Sequence, residues 1–152
     1  MPSQSDSVQR LLDEQGVRDA CMRYWAGLDQ GDAELFGSAF TADAELSLFG
    51  GERVVKIADM ITEGRFGGGF AHTCHSVASQ TVTVTGDTAT ADSFAVAHLV
   101  LAEGPILVRG LRYRDRLVRD RSGWRIARRE HRALWQYNAE SVVPQVPGEP
   151  GA

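Results

Sequence analysis

Apolar residues recur every three or four positions over the first thirty residues, a spacing that places them on one face of an α-helix. The members of this series are Val8, Leu11, Leu12, Val17, Ala20, Cys21, Tyr24 and Leu28. Asp6 or Ser7 can cap the first turn, and Gly31 can end the helix just past Asp29. The pattern therefore predicts a long amphipathic helix, weakened in its middle by Gly16.

Shorter elements follow this helix. Asp32 can cap a second helix, whose buried side is predicted to be Leu35, Phe36 and Phe40. Residues 44–49 alternate between apolar and polar side chains and predict a strand.

Two groups of glycines lie in residues 50–69. Gly50 and Gly51 predict a hairpin tip, and residues 54–63 predict a third helix. The apolar residues of that helix, which we expect to face inward, are Ile57, Met60 and Ile61. Residues 64–69 contain four glycines, which is typical either of a lid over a pocket or of a plain connector.

From His72 onward the chain predicts long β-strands separated by short turns. The runs are 72–85, 88–102, 106–120 and 123–136. Turns this short favour consecutive antiparallel strands, and helices followed by a meander predict an α+β fold. We expect the curved, mixed or antiparallel sheet to form a cone-shaped barrel around the N-terminal helices. Residues 1–140 are predicted to form one domain and residues 141–152 an irregular tail.

Composition and charge exclude some classes of partner. The chain has 152 residues, 43% of them hydrophobic, and a net charge of −4, which does not favour nucleic acid as a partner. Ten of the sixteen basic residues are arginines between Arg109 and Arg132, but acidic residues interleave with them, as on a solvated sheet face. No signal peptide or membrane-spanning run is evident, so we expect a cytoplasmic protein without a membrane partner.

Asp29 and His75 are the first candidates for chemistry. Asp29 lies at the end of the first helix, where the helix dipole does not favour a carboxylate, so it is either an exposed acid or an inward partner of a histidine. His75 lies in the first long strand and is either a satisfied structural group or a general base. If the fold brings the two together, the carboxylate can orient the imidazole for proton abstraction.

Other polar residues can each have either a functional or a structural role. His98 lies in an almost wholly apolar strand and is either a second acid–base group facing His75 or a satisfied core histidine. Tyr24 can polarise a substrate carbonyl or serve as a core aromatic. Arg109 shares an apolar strand face and can bind an anionic group or extend to solvent. Arg129 has the same two alternatives as Arg109, but the sequence gives less support for a role in binding.

Aromatic residues are candidates for the wall of the pocket, and two histidines raise the question of a metal site. Trp25, Phe49 and Phe70 are predicted to line the pocket and bind an apolar substrate. His72 can pair with His75, but no third ligand has the spacing that a metal needs, so neither a metal nor another cofactor is predicted.

Several short motifs, in this order and spacing, resemble the nuclear transport factor 2-like superfamily and, within it, the SnoaL-like branch. They are Tyr-Trp-Ala-Gly-Leu-Asp-Gln-Gly-Asp at 24–32, Phe-Thr-Ala-Asp-Ala at 40–44, His-Ser-Val-Ala-Ser at 75–79 and Gly-Trp-Arg-Ile at 123–126. The resemblance spans residues 8–138 and implies the cone-shaped α+β fold.

The resemblance also implies roles for individual residues. Scytalone dehydratase, the bile-acid 7α-dehydratase and the hexachlorocyclohexane dehydrochlorinase of this superfamily use an Asp–His pair for cofactor-free elimination, and Asp29 and His75 match that pair. Tyr24 matches the tyrosine of the dehydratases, and His98 falls near their second acid–base position. Arg129 resembles the pocket arginine of the dehydrochlorinase.

We therefore predict a cofactor-independent lyase, most simply a dehydratase, that acts on a small hydrophobic cyclic substrate such as a terpenoid, steroid or polyketide-like compound. An isomerase or polyketide cyclase using the same dyad is the alternative. A non-catalytic binding module or the small subunit of a ring-hydroxylating dioxygenase is a third reading. The resemblance also implies a homo-oligomer, either a trimer or a dimer.

Overall fold

A computed structural model describes residues 1–140, so the tail predicted over 141–152 lies outside the described residues. The helices and strands follow the predicted α+β order. In chain order they are α1 (Gln4–Gln30), α2 (Ala33–Ser38), β1 (Phe40–Leu48), β2 (Arg53–Lys56), α3 (Ile57–Thr62), β3 (His72–Thr85), β4 (Thr88–Val100), β5 (Ile106–Asp120) and β6 (Gly123–Ala139).

The long helix α1 begins earlier than predicted. Ser3, not Asp6 or Ser7, is the N-cap, and Ser3 and Asp6 form a capping box in which each side chain accepts a hydrogen bond from the other's backbone N–H. Gly31 ends the helix in the left-handed conformation, with φ at 66°, as predicted. Gly16 does not interrupt the helix. Its lack of a side chain lets the Trp124 ring pack closely against the helix backbone.

The six strands form one curved, open sheet in the order β2-β1-β6-β5-β4-β3. Strands β3 to β6 are a continuous antiparallel meander, as predicted, whereas β1 pairs in parallel with β6. The sheet therefore has two edges, at β2 and β3, and does not close into a full barrel. Helix α1 packs against both β3 and β6, so it lies inside the curve.

The segment between Phe40 and Thr62 differs most from the prediction. Phe40 begins β1 rather than extending α2, and its buried side chain joins the core from the sheet. The region predicted as one helix over 54–63 starts as strand β2, whose Arg53 pairs with Leu48 across the hairpin. Only Ile57–Thr62 is helical, because the backbone of the preceding four residues bonds to β1 instead.

The core lies between α1, α2 and the concave face of the sheet. Its buried members include Tyr24, Trp25, Phe36, Phe40, Tyr113, Leu117, Trp124 and Ile126. Gly27 lets α2 approach α1 closely, since a Cβ atom at this position would lie 2.4 Å from the backbone nitrogen of Phe36. This approach is made two residues before Asp29, so it helps to define where the end of α1 lies. Within the described part of the chain, no helix has both the length and the apolar character needed to cross a bilayer.

We expect Gly27→Ala to lower the free energy of unfolding by about 1–3 kcal/mol, because the added methyl group would overlap the backbone of Phe36. Gly67→Ala is the matched control, since no atom lies within 4 Å of its Cβ position and its φ is not positive. Urea unfolding of the two variants measures the difference. Equal stability of Gly27→Ala and the parent would contradict the close approach.

Candidate active site

A cavity of about 620 Å³ lies between α1, the concave face of the sheet and the glycine-rich loop before β3. This volume is typical of a pocket for a small ligand. Most of its wall is apolar. The apolar and aromatic residues lining it are Tyr24, Leu28, Phe36, Leu46, Leu48, Phe49, Val55, Met60, Phe66, Phe70, Leu99, Leu111 and Tyr113.

Asp29 and His75 meet at the edge of this cavity. The His75 Nδ1 atom lies 2.7 Å from Asp29 Oδ1, and the His75 backbone N–H donates to Asp29 Oδ2 over 2.8 Å. The hydroxyl of Thr73 donates to Oδ1 over 2.8 Å. The carboxylate is thus held by three hydrogen bonds from β3, and it joins the end of α1 to that strand.

These contacts define the proton positions on the imidazole. An ionised carboxylate only accepts hydrogen bonds, so the proton between the two groups belongs to His75 Nδ1. In the neutral form of the imidazole, the lone pair then lies on Nε2. The side chain of His75 is only 6% exposed and lines the cavity, so Nε2 is the ring nitrogen left to meet a ligand.

A bulge in β3 accounts for the direction of His75. The pairing of β3 with β4 shifts between Val77 and Ser79, which leaves Ala78 as an extra residue. His75 and Val77 face inward on one side of the bulge, and Val82 faces inward on the other despite its opposite parity. If the side chains of β3 alternated strictly, either His75 and Val77 or Val82 would face the outer side of the sheet.

Tyr24 lines the cavity from α1, as predicted for a candidate donor. Its side chain is buried, and that burial raises the pKa of the phenol above its ordinary value. The hydroxyl therefore keeps its proton at neutral pH and remains a hydrogen-bond donor.

His98 is in the wrong place for the predicted role. Its side chain is exposed, and it pairs with Cys74 and Val108 on the outer face of the sheet, whereas His75 pairs with the buried Ala97. The prediction that His98 faces His75 across the pocket is wrong, and so is the alternative of a core histidine. An apolar strand can carry a histidine outward because its alternate residues face solvent.

Arg129 and Trp25 lie behind the cavity wall rather than on it, so their prediction as substrate-binding residues is wrong. The Arg129 guanidinium is fully buried and donates two hydrogen bonds of 2.7 Å to the carboxylate of Asp115. It also lies 4.1 Å from the ring centre of Tyr24 and 4.8 Å from that of Trp25. Arg129 therefore supports the aromatic residues from within the core.

The other predicted wall residues do line the cavity. Phe70 is half-buried at the start of β3, and Phe49 extends from the hairpin between β1 and β2 with a positive φ of 53°. Arg109 lines the cavity from β5, and its Nε atom donates to Gln136 Oε1 over 2.6 Å. Their roles in binding a substrate remain predictions.

His131 is the wall residue that sequence reasoning undervalued. It lies on β6 opposite Tyr113, with their ring centres 5.3 Å apart. Burial lowers the pKa of His131 to about 4, and the positive charges of Arg129 and Arg109 add to this effect. The ring is therefore neutral at neutral pH. The register shift between Gly110 and Leu111, where β6 has an extra residue, obscures its direction in the sequence.

In the described range 1–140, no three histidine, cysteine or acidic side chains come together in a group that could hold a metal ion.

Replacing Asp115 tests whether Arg129 is structural. Asp115→Asn would leave a buried guanidinium without its counter-charge, and we expect a loss of about 3–5 kcal/mol in the free energy of unfolding. Asp92→Asn, which breaks the exposed pair with Arg112, should cost less than about 1 kcal/mol. Denaturant unfolding compares the two, and similar small losses would show that the buried pair contributes little.

The neutral state of His131 predicts a pH effect. Its pKa is about 4 in the folded chain and about 6.5 when unfolded, so the unfolded chain binds more protons between these values. Stability should therefore fall as the pH drops from about 6.5 to 4, by on the order of 3 kcal/mol from this residue. His131→Gln should reduce that fall. An unchanged pH profile for His131→Gln would contradict the low pKa.

Comparison with known proteins places this fold in a family. The model of the SnoaL-like domain matches residues 9–130. A comparison with curated proteins found no match. Among solved structures, a scytalone dehydratase-like protein from Novosphingobium aromaticivorans is 19% identical, with a TM-score of 0.77 over 95% of this chain and 99% of that one.

Two further structures have the same fold. Hexachlorocyclohexane dehydrochlorinase LinA-type3 from Novosphingobium barchaimii is 16% identical, with a TM-score of 0.78 over 93% of this chain and 99% of that one. An NTF2-like protein with a cystatin-like fold from Novosphingobium aromaticivorans is 28% identical, with a TM-score of 0.67 over 88% and 92% of the two chains. Since the family model spans most of the residues described above, the chain belongs to the SnoaL-like family, within the NTF2-like fold.

Proposed function

We propose that this protein is a cofactor-independent lyase, acting as a dehydratase on a small cyclic substrate, with Asp29 and His75 as its general-base dyad. The observation that carries this proposal is the 2.7 Å contact between Asp29 Oδ1 and His75 Nδ1 beside an apolar cavity. Oriented in this way, the free lone pair of His75 Nε2 can take a proton from a carbon atom of a bound substrate.

The reaction follows from these groups. His75 Nε2 removes the proton α to a carbonyl group, and the C–H electron pair moves into an enolate. Asp29 stabilises the imidazolium that forms. The enolate then collapses, the bond to the β-hydroxyl breaks, and the departing hydroxide takes the proton from His75. The products are an unsaturated ketone and water, and His75 is neutral again.

Two neutral hydrogen-bond donors on the cavity wall can stabilise the enolate as it forms. The protonated phenol of Tyr24 can donate to the developing oxyanion, and an apolar wall strengthens such a bond by excluding water. The neutral imidazole of His131 is a second donor on the same wall. Because His98 lies outside the cavity, the proposed mechanism uses His75 for both proton transfers.

An isomerase or cyclase is the second candidate, and the same observation favours it. A single dyad that takes and returns one proton suffices to move a double bond without loss of water. The known structures of similar fold include a dehydratase-like protein and a dehydrochlorinase, which is why elimination comes first.

A two-ring β-hydroxyketone tests the proposed chemistry. We expect 3-hydroxy-1-tetralone to lose water and form fluorescent 1-naphthol, with a parallel measurement of hydrogen–deuterium exchange at the α-carbon in D₂O. His75→Ala should reduce the rate by about 10²–10⁴-fold, because the base is lost. Asp29→Asn should reduce it by a similar factor, because the imidazole loses its orientation and its counter-charge.

His98→Ala is the matched control, since this exposed histidine should leave the rate unchanged. Exchange without loss of water would favour the isomerase. If folded His75→Ala exchanges and dehydrates the tetralone as fast as the parent protein, the dyad is not the base.

A further inference from the structure

The charged side chains on the cavity wall all have the same sign. Arg53 from β2, Arg65 from the glycine-rich loop and Arg109 from β5 line the cavity, and within residues 1–140 no aspartate or glutamate lines it. The overall chain is acidic, with a net charge of −4, so this local excess of positive charge is not a reflection of composition.

Two of these three guanidiniums lack a carboxylate partner among the described residues. Arg109 donates to the neutral Gln136 and forms no ion pair, and Arg53 forms none either. Arg65 pairs with Glu63 outside the cavity. By contrast, Arg112 on the outer face of β5 makes two hydrogen bonds to Asp92.

The carboxylate of the dyad does not line the cavity either. Asp29 is absent from the cavity wall, and its oxygens are occupied by His75 and Thr73. Besides burial, the charge of Arg109 helps to lower the pKa of His131, another residue of the cavity wall.

The arginines and the dyad lie at different depths. Arg53 and Arg65 are exposed and Arg109 is half-buried, whereas the side chain of His75 is 6% exposed. Apolar residues of α1, β1 and β5 also line the cavity. A ligand that contacts both the arginines and the apolar lining would have an apolar body with one negatively charged end.

We propose that the substrate is an apolar ring compound carrying an oxyanion, such as a carboxylate, which Arg109 binds with help from Arg53 and Arg65 at the mouth of the cavity. This inference rests on the proposed function only in placing the reaction in this cavity. Guanidinium is suited to the task, since it is always charged and presents paired N–H donors to an oxyanion. Arg109 selects the substrate and positions its reacting carbon near His75.

Two probes with the same aromatic rings test the proposal without knowledge of the natural substrate. 8-Anilinonaphthalene-1-sulfonate carries an anionic group, and N-phenyl-1-naphthylamine lacks it. Fluorescence titration of each gives Kd, and mutual displacement establishes that they share one site. We expect the sulfonate to bind at least tenfold more tightly than the neutral amine.

Substitution of Arg109 makes the test specific. Arg109→Gln should weaken binding of the sulfonate by about tenfold or more, because a charged hydrogen bond is lost, and should leave the neutral probe within twofold. Arg112→Gln, on the outer face of the same strand, is the control and should change neither Kd. Arg53→Gln and Arg65→Gln should have smaller effects, since both side chains are exposed.

Binding of the sulfonate within twofold of the parent in Arg109→Gln would overturn the proposal, as would an equal loss for both probes or two separate sites. The test is independent of catalysis. His75→Ala should keep the preference for the anionic probe even though it lowers the rate of turnover, so failure of the dyad and failure of the anion site have different signatures.

Discussion

The carboxylate of Asp29 is the point on which the geometry of the site depends. It joins the last turn of α1 to the first residues of β3 through the side chains of Thr73 and His75 and one backbone N–H. A carboxylate at the end of a helix is unfavourable with respect to the helix dipole, and the hydrogen bonds from β3 offset that cost. The same bonds that attach the helix to the sheet also orient the imidazole, so structure and chemistry share one set of contacts.

Much of this arrangement can be predicted from local patterns. The 3.6-residue periodicity of α1, the glycine at its end and the turns of the meander lead to the α+β fold. The contact of Asp29 with His75 is harder to predict, because the two residues are 46 positions apart and the sequence between them contains no pattern that specifies the contact. The resemblance to SnoaL-like enzymes implies the pair, and its catalytic role stays a prediction.

The errors also have physical causes. His98 lies on the outside because strand alternation, not the apolar character of its neighbours, decides its direction. Arg129 and His131 are two residues apart on one strand, yet one is in the core and the other on the cavity wall. Arg129 lies in the core because it pairs with the buried Asp115 on the neighbouring strand, and that tertiary contact is not visible in the sequence.

The extra residue Ala78 has a consequence for how this chain can diverge or be recombined. It separates two halves of β3 whose inward positions follow opposite parity, with His75 in one half and Val82 in the other. If the same sequence paired with β4 without the bulge, one half would turn over and present either the imidazole or the apolar side chains to water. Deleting one residue between the halves would instead restore regular alternation with both sets facing inward. In a chimera with a relative, a junction within β3 must therefore keep the extra residue and the bulge together, either both present or both absent.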